Sequence, residues 1–284
     1  MTITNNRTLI TGSTGLVGGY AMRRFAHAEG ISRHDSANSV DIMDEVALNV
    51  WAEGKHYDVI IHLAADIELD TYLPNIQMTL NIARLAQTMQ AKLIYVSSIS
   101  VYGAVESSQI INEDTRTNPQ YLYAASKLAG EDIVRLLCPD NHTILRLSSP
   151  YGVWSSRKTV LYQFIELAQR GQAITLYNDG KRSQDFIHLD DVVSALQTVM
   201  SNPAIGTFNL GSGRATSMKY LARTAISVTS ASTELIQYKQ VDHASENYHL
   251  SLDITRFQKL TGWEPHVLLE SGMRQLLEGG DYLG

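Results

Sequence analysis

Two side chains in the segment YAASK, Tyr123 and Lys127, are four residues apart and share one face if the segment is helical. A lysine ammonium beside a phenol favours the phenolate and draws the tyrosine pKa down from about 10, giving a base usable near neutrality. Ser98 follows the apolar run KLIYV and Ser97, and its hydroxyl is suited to polarising a carbonyl. Upstream, Gly12, Gly15 and Gly18 have the spacing GxxGxxG. Glycines so spaced permit a tight turn and close approach of backbone to a pyrophosphate, whose charge suits the amides and dipole of a following helix. About twenty residues further on, where a ribose would be gripped, stand Arg33, His34 and Asp35. Asp35 would hydrogen-bond the ribose hydroxyls of NAD, and Arg33 would pair with the extra phosphate of NADP, so both cofactors stay open. Each feature has a plainer reading: a packing turn, a strand-end cap, an ordinary helix face, a solvated Arg33. Their combination carries the chemistry.

These residues need a scaffold that brings strand ends together. Residues 7–11 read as a short strand running into TGSTGLVG, followed by a helix over 20–27 and a weakly marked strand over 31–34. A helix over 45–53, the apolar strand DVIIHL over 58–63, a helix over 75–90, a strand over 92–96, a helix over 123–137 and a strand over 143–147 continue the alternation. Strands alternating with helices predict an α/β fold, a Rossmann-type doubly wound parallel sheet. Its carboxyl edge, where Ser98 falls, is where ligands of such sheets bind. Past Tyr151 the pattern loosens: helices over 160–170, 190–200 and 217–228 and strands over 173–177 and 207–210. The expected division is a dinucleotide-binding domain over 1–150 and a smaller, mainly substrate-binding lobe over 151–284, the strand at 207–210 returning to the sheet. With no Pro-rich or Ser-rich linker between them, the lobes should pack tightly.

The 284 residues exclude a peptide-sized module, and 44% hydrophobic against 18% charged residues excludes wholesale disorder. Twenty-three basic against twenty-nine acidic side chains give a net charge of −6 without long blocks of either sign, so no nucleic-acid partner is expected. Cys138 has no second cysteine to pair with, which suits a reducing, cytoplasmic compartment. No export signal and no eighteen-residue apolar run appears, so no membrane span is expected. The nine histidines are scattered, and no metal is expected.

TGSTGLVG, DVIIHLAA, VSSISVYG and YAASK, in this order, resemble an extended short-chain dehydrogenase/reductase, the NAD-dependent epimerase/dehydratase family. RLSSPYGV, DFIHLDDVV, GTFNLGSG and LTGWEP extend the resemblance along nearly the whole chain. It implies Ser98, Tyr123 and Lys127 as the catalytic set, with Lys127 also on the nicotinamide ribose. Gly12, Thr14, Gly15, Leu16, Val17 and Gly18 would lie at the pyrophosphate, and Asp41 and Ile42 at the adenine edge. Leu63, Ala64 and Ala65 would line the cofactor, Asn75 would stand in the helix behind it, and Pro150 in the loop by the nicotinamide. The implied reaction is hydride transfer at a secondary alcohol or ketone of a sugar, by resemblance a nucleotide sugar, as an epimerase or a 4-ketoreductase. Tyr123 takes the hydroxyl proton and Ser98 steadies the oxygen. A homodimer formed through the helices at 75–90 and 123–137 is implied as well.

Departures from the family pattern bear on reaction and substrate. Ile99 and Ser100 stand where family dehydratases carry an acidic pair, which ranks dehydration below epimerisation and ketoreduction. Ser149 replaces an asparagine of the diphosphate clamp, Gln184 an arginine, and no arginine lies shortly before Asp253, where Lys239, His243 and His249 stand. Arg182, Arg214 and Arg157 are the alternative cations. The competing function is a non-catalytic NAD(P)-binding sensor of the same fold.

Overall fold

A computed structural model describes residues 6–35, 38–68, 70–104, 109–153, 159–202, 204–241 and 249–279. In chain order its first elements are β1 (Thr8–Thr11), α1 (Leu16–Arg24), β2 (Ala28–Ile31), α2 (Glu45–Ala52), β3 (Val59–His62), α3 (Leu73–Met89) and β4 (Lys92–Ser98). After a 3₁₀ turn at Ile99–Tyr102 come β5 (Ile110–Ile111), α4 (Leu122–Leu137), β6 (His142–Leu147), β7 (Ser149–Tyr151), α5 (Val160–Gln169), β8 (Ile174–Tyr177) and β9 (Ser183–His188). The remainder is α6 (Leu189–Ser201), β10 (Gly206–Leu210), β11 (Ala215–Ser217), α7 (Met218–Thr229), β12 (Ile236–Lys239), β13 (Ser251–Leu252), α8 (Thr255–Thr261) and α9 (Leu269–Gly279).

Six strands form a parallel sheet in the order β10-β6-β4-β3-β1-β2. The period-two alternation of strand side chains sorts the core onto two faces. Ile10, Ile61, Ile94 and Leu145 pack with Ala21 of α1 and Val192, Leu196 and Val199 of α6. Their neighbours Leu9, Ile60, Leu93 and Ile144 pack with Met78 and Ile82 of α3 and Val134 of α4. Both faces are therefore covered, which is why these strands read as unbroken apolar runs. Each fully buried Leu or Ile contributes roughly 1.5–3 kcal/mol to that packing.

The late strand β10 pairs with β6 in parallel, Phe208 opposite Leu145. A third core, with Leu161, Phe164 and Ile165 of α5, Leu221 and Ala225 of α7, and Met273 and Leu276 of α9, gathers the second lobe over β7, β8 and β9.

Two elements are displaced from the sequence reading by three residues or more. The first helix begins at Leu16, directly off the glycine turn, instead of at residue 20, with Gly18 buried within it where a Cβ would meet the Gly12 carbonyl. The second strand ends at Ile31 instead of beginning there: in AEGI only Ile31 has a strand-favouring side chain, and Gly30 leaves no room for a Cβ beside Ser13.

Candidate functional site

The glycine turn is built from backbone. Gly12 has φ +71°, and a Cβ there would lie 2.8 Å from the Ala64 amide nitrogen. A Cβ on Gly18 would lie 2.1 Å from the Gly12 carbonyl oxygen. The turn is stitched to β2 by the Gly12 and Ser13 amides, which donate to the Ile31 carbonyl at 2.9 and 3.4 Å. Gly15 caps α1 without a side chain, so the first-turn amides, including those of Leu16 and Val17, have no side-chain acceptor from the cap. Beside them is a cavity of about 320 Å³. This cradle, in a turn with no room for a Cβ at Gly12 or Gly18, fits a pyrophosphate.

Of the residues singled out in the sequence, Gly12, Thr14, Gly15, Arg33, Ile42, Leu63, Ala64 and Ala65 line this cavity. Asp35 and Asp41 do not. Asp35 Oδ1 accepts from the Asn38 amide and Asp41 Oδ1 from the Met43 amide, so both carboxylates serve local turns. Asn75 is a clip: its Oδ1 accepts from the Asp66 amide, and its Nδ2 donates to the Asp66 carbonyl and to Ser126 Oγ of α4. It ties the segment after β3 to the helix that carries Tyr123 and Lys127.

At the centre of the sheet Ser98 is the last residue of β4, opposite Leu147. Its Oγ accepts from the Ser100 amide at 3.2 Å and from the Ser100 hydroxyl at 2.9 Å. With both lone pairs used, its own proton is available to an outside oxygen. Tyr123 is half-buried in the first turn of α4, its ring stacked with that of Tyr121 at 6.4 Å. Lys127, one turn on, is 3% exposed, and its Nζ lies 4.6 Å from the centroid of the Tyr95 ring. Burial pulls Lys127 down to about 7, and the Glu131 charge works against that fall. His62, at the end of β3, lies between Thr11 Oγ1 at 2.7 Å and Thr79 Oγ1 at 3.2 Å. Burial, helped by the Lys127 charge, lowers it to about 3, and it is neutral.

A buried charge network behind this site escaped the sequence reading. Glu131, fully buried one turn past Lys127, accepts from Arg146 Nε and Nη2 at 2.9 and 2.7 Å, from Ser97 Oγ at 2.7 Å and from Arg135 at 2.8 Å. Arg146 also donates to Tyr102 Oη at 2.9 Å, and that hydroxyl donates to Asn209 Oδ1 of β10 at 2.6 Å. Burial opposes the Arg146 charge, and the Glu131 hydrogen bonds and charge more than offset it, holding the guanidinium protonated. The four-residue spacing of Glu131 from Lys127 was the one available signal. The pairing with Arg146 had none.

Toward the second lobe, Ser149 and Pro150 lie in β7, opposite Phe186 and Ile187 of β9. Gln184 pairs with Thr216, and Arg182 precedes β9, its carbonyl accepting from the Met218 amide. Arg214 is exposed beside a second cavity of about 310 Å³. Arg157 and His243 lie outside the described residues. Among the described residues, no cluster of three metal-ligating side chains occurs and no helix is long and apolar enough to cross a membrane.

A family model described as the NAD dependent epimerase/dehydratase family matches residues 8–211. The chain is 29% identical to a UDP-glucose 4-epimerase of Mycolicibacterium smegmatis, over 96% of this chain and 97% of that protein. It is 28% identical to a dTDP-glucose 4,6-dehydratase of Streptomyces griseus, over 82% of this chain and 74% of that one. The crystal structure of the UDP-glucose 4-epimerase of Thermotoga maritima with UDP-glucose superposes with a TM-score of 0.85 at 23% identity, covering 98% of both chains.

Proposed function

The chain belongs to the NAD dependent epimerase/dehydratase family, and from that premise we propose that it transfers hydride at a secondary alcohol or ketone of a nucleotide-linked sugar, as an epimerase or a 4-ketoreductase with NAD or NADP. The observation that carries this reading is one fold element holding Tyr123 and Lys127, packed against the strand that ends in Ser98. Gly12, Thr14, Gly15, Leu16, Val17 and Gly18 would hold the pyrophosphate, Leu63, Ala64 and Ala65 the adjoining wall, and Lys127 and Pro150 the nicotinamide end. When bound, the nicotinamide supplies the hydride acceptor and donor.

The chain's own residues handle the proton and the oxygen. Tyr123 takes the proton of the substrate hydroxyl, and the Lys127 ammonium stabilises the phenolate that does so. Ser98 donates to the oxygen as it becomes a carbonyl. Against dehydration stands the segment after Ser98: Ile99 supplies no acid, and the Ser100 hydroxyl is spent on Ser98. Against a non-catalytic sensor stand the retained set and the enzymes among its relatives. Ser98, Ser149 and Arg182 are the proposed substrate contacts. A homodimer through α3 and α4 is part of the same reading. The two helices pack side by side, and Leu73 and Leu136 are exposed on them. So is a cytoplasmic location, in keeping with the free, buried Cys138.

The test is a screen of nucleotide sugars and their 4-keto derivatives with each dinucleotide. Hydride exchange with at least one of them is expected. An epimerase retains its dinucleotide through purification, whereas a reductase exchanges it freely, which absorbance of the supernatant after denaturation distinguishes. A folded, dinucleotide-binding protein inert toward the whole set contradicts the proposal.

A further inference from the structure

β2 ends at Ile31, whose carbonyl is stitched to the glycine turn, so the next residues form the lip of the dinucleotide cavity. With a pyrophosphate on that turn, the adenosine ribose lies against the residues that end the second strand. A carboxylate there accepts from the ribose hydroxyls and repels a phosphate, whereas a hydroxyl followed by a guanidinium does the reverse. The residue directly after β2 is Ser32. Its Oγ lies 2.7 Å from Thr14 Oγ1 and accepts from the His34 amide at 3.2 Å. Arg33 and His34 are exposed and line the same cavity. Among the described residues, no ion pair engages the Arg33 guanidinium.

The nearby acids are committed elsewhere. Glu29 of β2 is held by Lys55 and Tyr57. Asp35 and Asp41 accept from the amides of their own turns and do not line the cavity. Asp66 is the single carboxylate among the described lining residues. It belongs to the segment after β3, on the other side of β1 in the sheet, and its Oδ1 accepts from the Glu68 amide.

We infer that Ser32 and Arg33 form a subsite for the 2′-phosphate of the adenosine ribose, so that this chain binds NADP in preference to NAD. The inference rests on the dinucleotide-binding reading above and specifies which dinucleotide that reading requires.

Calorimetric titration of the cofactor-free protein with NADP⁺, NAD⁺ and 2′,5′-ADP tests it without any substrate. NADP⁺ binds about tenfold tighter than NAD⁺ or better, 2′,5′-ADP competes with it, and the preference narrows as salt screens the phosphate contact. Arg33→Ala weakens NADP⁺ by about tenfold and NAD⁺ by less. Ser32→Asp reverses the preference, and its retained NAD⁺ binding shows that the variant is folded. Equal or tighter binding of NAD⁺ by the wild type, or an unchanged ratio in Arg33→Ala, overturns the inference and leaves the dinucleotide reading standing. Binding of neither dinucleotide overturns both.

Discussion

At the β1–β2 end of the sheet the glycine turn is built from main chain, with Gly12 and Gly18 leaving no space for a Cβ and the Ile31 carbonyl holding the turn in place. At the β4–β6 end the strand ends are held by charge: Glu131, fully buried, neutralises Arg146 and accepts from Ser97, just before Ser98. In the proposed reading the glycine turn of the first end would hold the pyrophosphate common to all dinucleotides and needs only backbone room, while the side chains at its lip would choose between them. The second must fix the spacing between a strand end and the first turns of α4, and it does so with hydrogen bonds that lock side chains from three elements together. A backbone-built site fails by steric intrusion, a charge-built site by loss of a partner.

The largest effect that separates the two is expected from Glu131→Ala. It strands Arg146, whose side chain is 5% exposed, without its counter-ion, and costs about 3–5 kcal/mol of stability by chemical denaturation. A cost below about 1 kcal/mol would show that the network is not what holds the catalytic end. Next is Gly18→Ala, whose Cβ would press on the Gly12 carbonyl. It should cost about 1–3 kcal/mol of stability and weaken dinucleotide binding by more than that loss explains. Unchanged affinity by calorimetry would separate the turn from the cofactor.

The third effect is read as a slope in pH. Lys127 sits at about 7 in the folded protein because it is buried, and near the ordinary lysine value of about 10.4 in the unfolded chain. Below pH 7 the full cost of a buried ammonium is present. Between the two values the unfolded chain binds more protons, and stability rises with pH. Lys127→Met is therefore more stable than the wild type at about pH 6, and its advantage shrinks by on the order of 1 kcal/mol per pH unit as pH rises above 7. The cofactor-free proteins are compared by denaturant midpoint across that range. A constant or growing advantage would mean that Lys127 is not penalised by its burial.

The same contrast explains what was legible in the sequence. Gly12, Gly15 and Gly18 are readable because a backbone turn demands glycine at fixed intervals, and Tyr123 and Lys127 because helix geometry makes four residues a contact distance. The alternating apolar runs gave the parallel sheet for the same local reason. Arg146 and Glu131 are fifteen positions apart on a strand and a helix, and no local rule pairs them. Nor does spacing show that Asp35 turns back to the Asn38 amide, leaving Arg33 as the charged group of that stretch on the cavity. Asn75, placed behind the cofactor by resemblance, proved to be spent on Asp66 and Ser126. A side chain's type is visible in sequence, whereas the partners that consume it are set by tertiary packing.

The central claim is that Tyr123 moves the proton during hydride transfer at a sugar carbon. The most direct test is turnover of Tyr123→Phe on the substrate found by the screen, with dinucleotide affinity measured in the same sample. Turnover falling by about 10²- to 10⁴-fold with affinity retained is the expected result. Turnover at the wild-type rate would contradict the account.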